Sequence, residues 1–128
     1  MNLPKIISVD DHVVEPPTVW QDRLPSRFAD RAPRVKRTVG RMVYDGGLRF
    51  TEGDGPGSAP MDLWLYDDLT WAIPRGMAQV DHLEELSARS ITYDEMVPGC
   101  YDQSARIAAM DANHTEASLC FPSFPDSL

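Results

Sequence analysis

The chain has 128 residues, enough for one domain with a hydrophobic core, and 42% hydrophobic with 25% charged residues is the composition of an ordinary globular protein. Twelve basic and twenty acidic residues give a formal charge of −8. An acidic surface is repelled by anionic partners, so we expect neither nucleic-acid binding nor docking on an anionic membrane.

Cysteine usage and the N-terminus indicate the compartment. Cys100 and Cys120 form no Cys-x-x-Cys motif, which excludes a zinc ribbon or a thioredoxin-type site. The first residues lack the apolar core of a signal peptide, and no apolar run approaches the ~20 residues that cross a bilayer. We therefore expect a cytoplasmic protein with both thiols reduced.

The first third of the chain predicts a strand and then an irregular stretch. Residues 5–9, KIISV, form a nearly continuous, mostly β-branched apolar run, which is typical of a buried parallel strand. Prolines end this strand, and residues 17–24 predict a helical turn. Residues 25–40 are basic and poorly periodic, so we expect an irregular surface excursion there.

The middle of the chain carries turn signals. Residues 41–50 predict a β-hairpin around the turn Asp45-Gly46-Gly47, and the composition of residues 51–60 predicts a flexible loop. Residues 61–69 predict a further strand. Within residues 78–89, apolar side chains recur every three positions, which favours a short helix.

The C-terminal third carries the clearest helix signal, over residues 102–114. Asp102 is suited to cap the start of this helix, and Asn113 to adopt a left-handed conformation at its end. Residues 116–125 predict a second buried strand. The order strand, excursion, helix, strand predicts a βαβ unit with two parallel strands.

Two potential metal ligands end the first strand. Because side chains alternate along a strand, Asp10 and His12 point to one side and Asp11 to the other. A carboxylate oxygen and an imidazole nitrogen at this spacing suit one divalent ion, Zn²⁺ first and Mn²⁺ or Fe²⁺ as alternatives. The competing interpretation is that Asp10 caps a turn and His12 packs against backbone. Asp11 is expected to be a hydrogen-bond partner or turn residue, and Glu15 a loop residue.

Other reactive side chains are assigned no chemistry. His82 lies among acidic residues and is expected to be solvated, and His114 follows a predicted helix end. Cys120 lies in an apolar strand with no basic neighbour in sequence, so we expect a buried, inert thiol. Trp64 and Trp71 are expected to supply core area rather than a substrate pocket.

Two stretches resemble a known family. ISVDDHVVEPPTVW and ITYDEMVPGCYDQSARIAAMDANHTEASLCFPSFP, the latter being residues 91–125, resemble the N-terminal portion of amidohydrolase-related proteins, particularly the aminocarboxymuconate-semialdehyde decarboxylase-like branch. The resemblance implies an α/β fold, namely the N-terminal fragment of a (β/α)8 TIM barrel with an irregular, hairpin-containing excursion between its first strand and first helix. Residues 1–128 would then be part of one barrel domain whose later strands are absent.

The resemblance also implies a function. Asp10 and His12 would occupy the paired-ligand position, where many relatives carry His-x-His, and would bind a divalent metal, Zn²⁺ before Mn²⁺ or Fe²⁺. The enzyme would hydrolyse C–N or ester bonds, or remove CO₂ non-oxidatively from a small carboxylic acid, and the chain alone is expected to be inactive. The alternative is a truncated, non-catalytic fragment or an interaction module that requires a complementary chain; a homo-oligomer also stays open.

Overall fold

A computed structural model describes residues 3–80 and 89–123 and divides the chain into two compact units. The first unit contains residues 3–16 and 97–123, and the second contains residues 17–80 and 89–96. The strands and helices of the described part are β1 (Ile6–Val13), α1 (Val19–Arg23), β2 (Arg34–Tyr44), β3 (Leu48–Glu52), β4 (Ala59–Tyr66), β5 (Leu69–Ala72), α2 (Gln103–Ala112) and β6 (Thr115–Pro122).

The prediction of a (β/α)8 TIM-barrel fragment is wrong. Such a fragment consists of parallel strands connected by helices, whereas four of the six described strands form an antiparallel sheet in the order β3-β2-β4-β5. The described residues form a small mixed fold with two sheets and few helices. Among the described strands only β1 and β6 pair in parallel, so the β-α-β order at the two ends of the chain is not part of a repeating pattern.

The irregular excursion predicted over residues 25–40 contains most of strand β2 instead. The alternation of apolar and polar side chains along β2 is hard to recognise in the sequence, because its charged side chains form ion pairs with the neighbouring strands. Lys36 contacts Glu52 of β3 at 3.2 Å, and Arg37 contacts Asp62 of β4 at 2.9 Å. The basic composition of this segment is therefore matched by acids on its two neighbouring strands.

Two tight turns connect the antiparallel strands. The predicted hairpin is confirmed, since β2 and β3 are joined by residues 45–47, and Gly46 has a φ of +64°, which glycine adopts at no steric cost. The strand predicted over residues 61–69 is β4, but it stops before Asp67, whose φ is +54° in the turn to β5. Aspartate is among the few residues that tolerate this left-handed conformation.

The antiparallel sheet carries the core of the second unit. Leu63 and Trp64 lie side by side on β4 and are both fully buried, so both faces of this strand are covered. Full burial of one such side chain stabilises a fold by about 1.5–3 kcal/mol. Around Leu63, one face of the sheet gathers a cluster of Met61, Leu63 and Ala72, with Met42, Phe50 and Leu65 packed against it.

The first unit is the predicted βαβ element. Strands β1 and β6 are parallel, as expected, and α2 precedes β6. The predicted cap is confirmed, because the Asp102 carboxylate accepts a hydrogen bond from the Ala105 N–H at 2.7 Å. The left-handed residue is His114, with a φ of +55°, rather than Asn113. Asn113 instead closes the last turn, since its side chain donates to the Ala109 carbonyl at 2.7 Å.

The prediction that the first strand is buried is wrong. Ile7 and Val9 are 67% and 66% exposed, and among the described residues of this unit only Val14 and Ser123 are buried. A buried parallel strand needs a layer on each face. Here a two-stranded sheet has one helix, α2, in contact with β6, and this leaves apolar side chains exposed.

Two predictions concern residues outside the described part. The helix predicted over residues 78–89, with His82, falls mostly on residues 81–88, and the predicted second strand extends past residue 123.

In residues 3–80 and 89–123 no helix is both long and apolar enough to cross a membrane, and the longest, α2, has 10 residues.

Candidate functional site

The structure brings the predicted metal-ligand pair together. Asp10 and His12 lie on β1, and the distance from Asp10 Oδ1 to His12 Nε2 is 4.0 Å. Two ligands of a tetrahedral zinc ion lie about 3.3 Å apart, given metal–ligand bonds of about 2.0 Å. Both side chains are accessible, with 87% of Asp10 and 58% of His12 exposed, so a small rotation of either closes the difference.

Strand β6 supplies one neighbour of the pair. His12 is opposite Phe121 in the parallel ladder, and their ring centroids are 6.0 Å apart with the planes tilted by 39°. This contact restricts one side of the imidazole while its outer edge stays accessible. The pair therefore has a partly oriented nitrogen ligand and a freely exposed carboxylate.

Asp11 is a hydrogen-bond partner, as predicted. Its Oδ1 accepts from Ser8 Oγ at 2.8 Å, and its Oδ2 accepts from Ser118 Oγ and from Arg106 Nη2, the latter at 2.9 Å. The hydrogen bond from Ser118, with those from Ser8 and the Arg106 guanidinium, lowers the pKa of the Asp11 carboxyl below its ordinary value and outweighs the opposing effect of burial. This ionised carboxylate connects β1 to β6 and to α2.

The predicted burial of Cys120 is wrong. Its side chain is exposed, and Sγ lies 3.8 Å from Arg106 Nη2 and 3.3 Å from Ser118 Oγ. No local sequence signal indicates this contact, because Arg106 is fourteen residues away on α2 and approaches the thiol through the packing of α2 against β6. The same cluster contains the Arg106 Nε, a buried atom without a hydrogen-bond partner among the described residues.

Glu15 and His114 form hydrogen bonds at the two ends of the β1–β6 strand pair. Glu15 Oε1 accepts from the Ser123 N–H at 3.0 Å, and Ser123 Oγ donates to the Val13 carbonyl at 2.8 Å, which fastens β6 to the end of β1. The His114 carbonyl accepts from the Ile6 N–H at 2.8 Å, at the opposite end of the same strand pair. The structure therefore does not bring His114 to Asp10 and His12.

In the second unit, a buried acid has a structural role that sequence reasoning missed. Asp62 is 2% exposed and accepts two hydrogen bonds from Arg37, both at 2.9 Å, and one from the Tyr93 N–H at 2.8 Å. The hydrogen bonds that the Arg37 guanidinium donates to Asp62 and Asp94 raise the pKa of Arg37. Trp64, on the same strand as Asp62, is fully buried, in line with the predicted core role.

The metal-ligand pair is incomplete within the chain as described. Among residues 3–80 and 89–123 no group of three or more histidine, cysteine or acidic side chains is placed to hold a metal ion. No protein-family model matches the chain, and no curated protein matches it either. The assignment of a function therefore depends on the geometry of the residues themselves.

Proposed function

We propose that Asp10 and His12 provide the first ligand pair of a divalent-metal centre in an enzyme that hydrolyses C–N or ester bonds or decarboxylates a small carboxylic acid. The observation that supports this most directly is the 4.0 Å separation of Asp10 Oδ1 and His12 Nε2 on one accessible side of β1. The mixed oxygen and nitrogen set suits Zn²⁺, Mn²⁺ or Fe²⁺. When bound, such an ion acidifies water or polarises a carbonyl group.

Three neighbouring residues have different roles in the proposed site. Asp10 supplies an exposed carboxylate oxygen, and His12 supplies a ring nitrogen beside Phe121. Asp11, one residue away, holds the strand in place through Ser118 and Arg106. A catalytic zinc site has three protein ligands and a water, so two ligands predict weak metal binding and no catalysis until another chain or segment completes the site.

Paramagnetic NMR with Mn²⁺ tests the ligand pair. We expect Mn²⁺ to broaden the amide signals of residues 10–12 and of Phe121 first, because relaxation falls steeply with distance from the ion. The double variant D10N/H12Q should lower the apparent affinity at least tenfold. The variant H114Q, which removes another imidazole of the same unit, should leave it unchanged. Equal broadening in D10N/H12Q and in the unaltered protein would refute the assignment.

A second candidate function is an interaction module that requires a complementary chain. It is favoured by the apolar side chains that β1 and β6 leave exposed, with Val9 at 66% and Leu119 at 57%. In the described part each of these strands pairs only with the other, and an isolated pair is marginally stable in water. Sedimentation velocity over a hundredfold concentration range separates self-association from a monomer that needs a different partner.

A further inference from the structure

One face of the β1–β6 sheet carries α2, and the opposite face carries the metal-ligand pair. On β6, Arg106 of α2 reaches Ser118 and Cys120 at 3.4 Å and 3.8 Å. On β1, the same guanidinium reaches Asp11 at 2.9 Å. The metal-ligand pair flanks Asp11 on either side in the sequence, so alternation directs both of its side chains to the face away from α2.

This second face, the outer face, is apolar and exposed around the pair. Leu119 and Phe121 alternate with the β6 residues that contact α2, so both point to the outer face. The contact between the rings of Phe121 and His12 agrees with this placement. Leu119 and Phe121 are both exposed, as are the two ligands. An ion held by the pair would therefore lie within an accessible apolar surface.

The outer face is too small to hold two chains together by apolar contact alone. Its two strands have eight residues each. At about 3.3 Å per residue and about 4.8 Å between strands, the face measures roughly 26 Å by 10 Å. Stable interfaces cover about 800 Å² per partner, roughly three times as much. Two copies of the chain also repel each other, because each has a formal charge of −8.

The metal-ligand pair supplies the missing attraction when it meets its own copy. A closed zinc site has four protein ligands, whereas residues 3–80 and 89–123 bring together only two. In a twofold dimer the same patch of both copies meets, so one ion on the axis would receive two carboxylates and two imidazoles. Two Asp10 carboxylates with neutral His12 rings would balance the charge of Zn²⁺, whereas without the ion the carboxylates repel each other.

We propose that a divalent ion, Zn²⁺ first, joins two copies of this chain through Asp10 and His12 of each copy, with Leu119 and Phe121 covered between them. The proposal rests on the ligand assignment of the proposed function. Four protein ligands leave no open position for a substrate. The bridged dimer is therefore a structural assembly, and a complementary chain reaches the ligand pair only after the dimer dissociates.

Sedimentation velocity on the full chain, with Zn²⁺ as the probe, measures this assembly. We expect a monomer in EDTA and a dimer after Zn²⁺ is added, and calorimetric titration should give one ion per two chains. D10N/H12Q should stay monomeric in Zn²⁺. H114Q and C120S, which remove other potential zinc ligands of the same unit, should still dimerise. A dimer in EDTA, or a Zn²⁺ dimer that C120S abolishes, would overturn the proposal.

Polar substitutions separate the dimer from the ligand assignment. L119Q would bury one amide per copy and should weaken Zn²⁺-dependent association at least tenfold, while Mn²⁺ still broadens the amide signals of residues 10–12. I107Q, which alters an exposed isoleucine of α2 on the other side of the sheet, should leave the association unchanged. Dispersed amide spectra show that each variant is folded, and equal effects of the two would refute the bridge.

The stoichiometry distinguishes failure of the bridge from failure of the site. One Zn²⁺ per chain, bound by a monomer at residues 10–12, would overturn the bridge and leave the ligand pair in place. Absence of any metal effect at residues 10–12 would overturn both.

Discussion

The two units of this protein are built on the same kind of element but differ in what covers it. Leu63 and Leu119 both lie within strands, yet Leu63 is fully buried on β4 whereas Leu119 is 57% exposed on β6. In the second unit both faces of β4 are covered, because Leu63 and Trp64 are buried on opposite sides. The comparison shows that a strand becomes core only through the layers that surround it.

Polar contacts replace apolar burial in the first unit. The Asp11 carboxylate, with Ser118 and Arg106, connects β1, β6 and α2, and the Glu15–Ser123 hydrogen bond fastens the strand ends. A typical hydrogen bond contributes only about 0.5–1.5 kcal/mol net, because water competes for the same groups. The first unit is therefore expected to be the less stable of the two.

The sharpest test of this difference makes the same substitution in both units. L63A should lower the free energy of unfolding by about 3–4 kcal/mol, since it removes a fully buried side chain and leaves a cavity. L119A should lower it by less than about 1 kcal/mol, because most of that side chain already contacts water. Urea unfolding followed by circular dichroism and tryptophan fluorescence measures both. Similar losses would mean that the exposed side of β6 is covered in solution.

Substitution of the buried Asp62 tests whether polar contacts also stabilise the second unit. D62N should cost about 2–3 kcal/mol, because it weakens two charge-assisted hydrogen bonds from Arg37 and the bond from the Tyr93 N–H. D94N is the matched control: Asp94 also contacts Arg37, but its side chain is 76% exposed, so we expect a change under about 0.5 kcal/mol. Equal effects of the two variants in urea unfolding would deny Asp62 this role.

Local signals predicted local features well. The turn Asp45-Gly46-Gly47 is confirmed because Gly46 adopts the positive φ that this hairpin needs. The Asp102 cap is confirmed because it requires only residues three positions apart. The parallel pairing of β1 and β6 is also confirmed, as the order strand, helix, strand at the two ends of the chain predicts.

Features that depend on contacts between residues far apart in sequence were predicted poorly. Residues 34–40, the first part of β2, are predicted to be irregular, since the acids that match Lys36 and Arg37 lie 16 and 25 residues away. The arginine beside Cys120 comes from another element in the same way. In the candidate site, Asp10 and His12 lie together as alternation requires, but no local pattern shows how much of each side chain faces water.

Acid should affect the first unit through Asp11. Because its pKa is lowered in the folded protein, chiefly by the Ser118 hydrogen bond, its stabilising effect is fully present above the ordinary value near 3.8 and is lost as pH falls through the folded value. Carbon-detected NMR titration should therefore place the Asp11 pKa below 3.8 in the unaltered protein. S118A should raise that pKa toward its ordinary value and destabilise the first unit by about 1 kcal/mol at neutral pH.

The control for this titration is S104A, because Ser104 lies exposed on α2 and forms no hydrogen bond to Asp11. It should leave the Asp11 pKa where it is. On acidification, amide signals of β1 and β6 should shift together with the Asp11 carboxyl, because this carboxylate connects the two strands and α2. An Asp11 pKa at or above 3.8, or one that S118A does not change, would mean that the Ser118 hydrogen bond is not what holds these elements together.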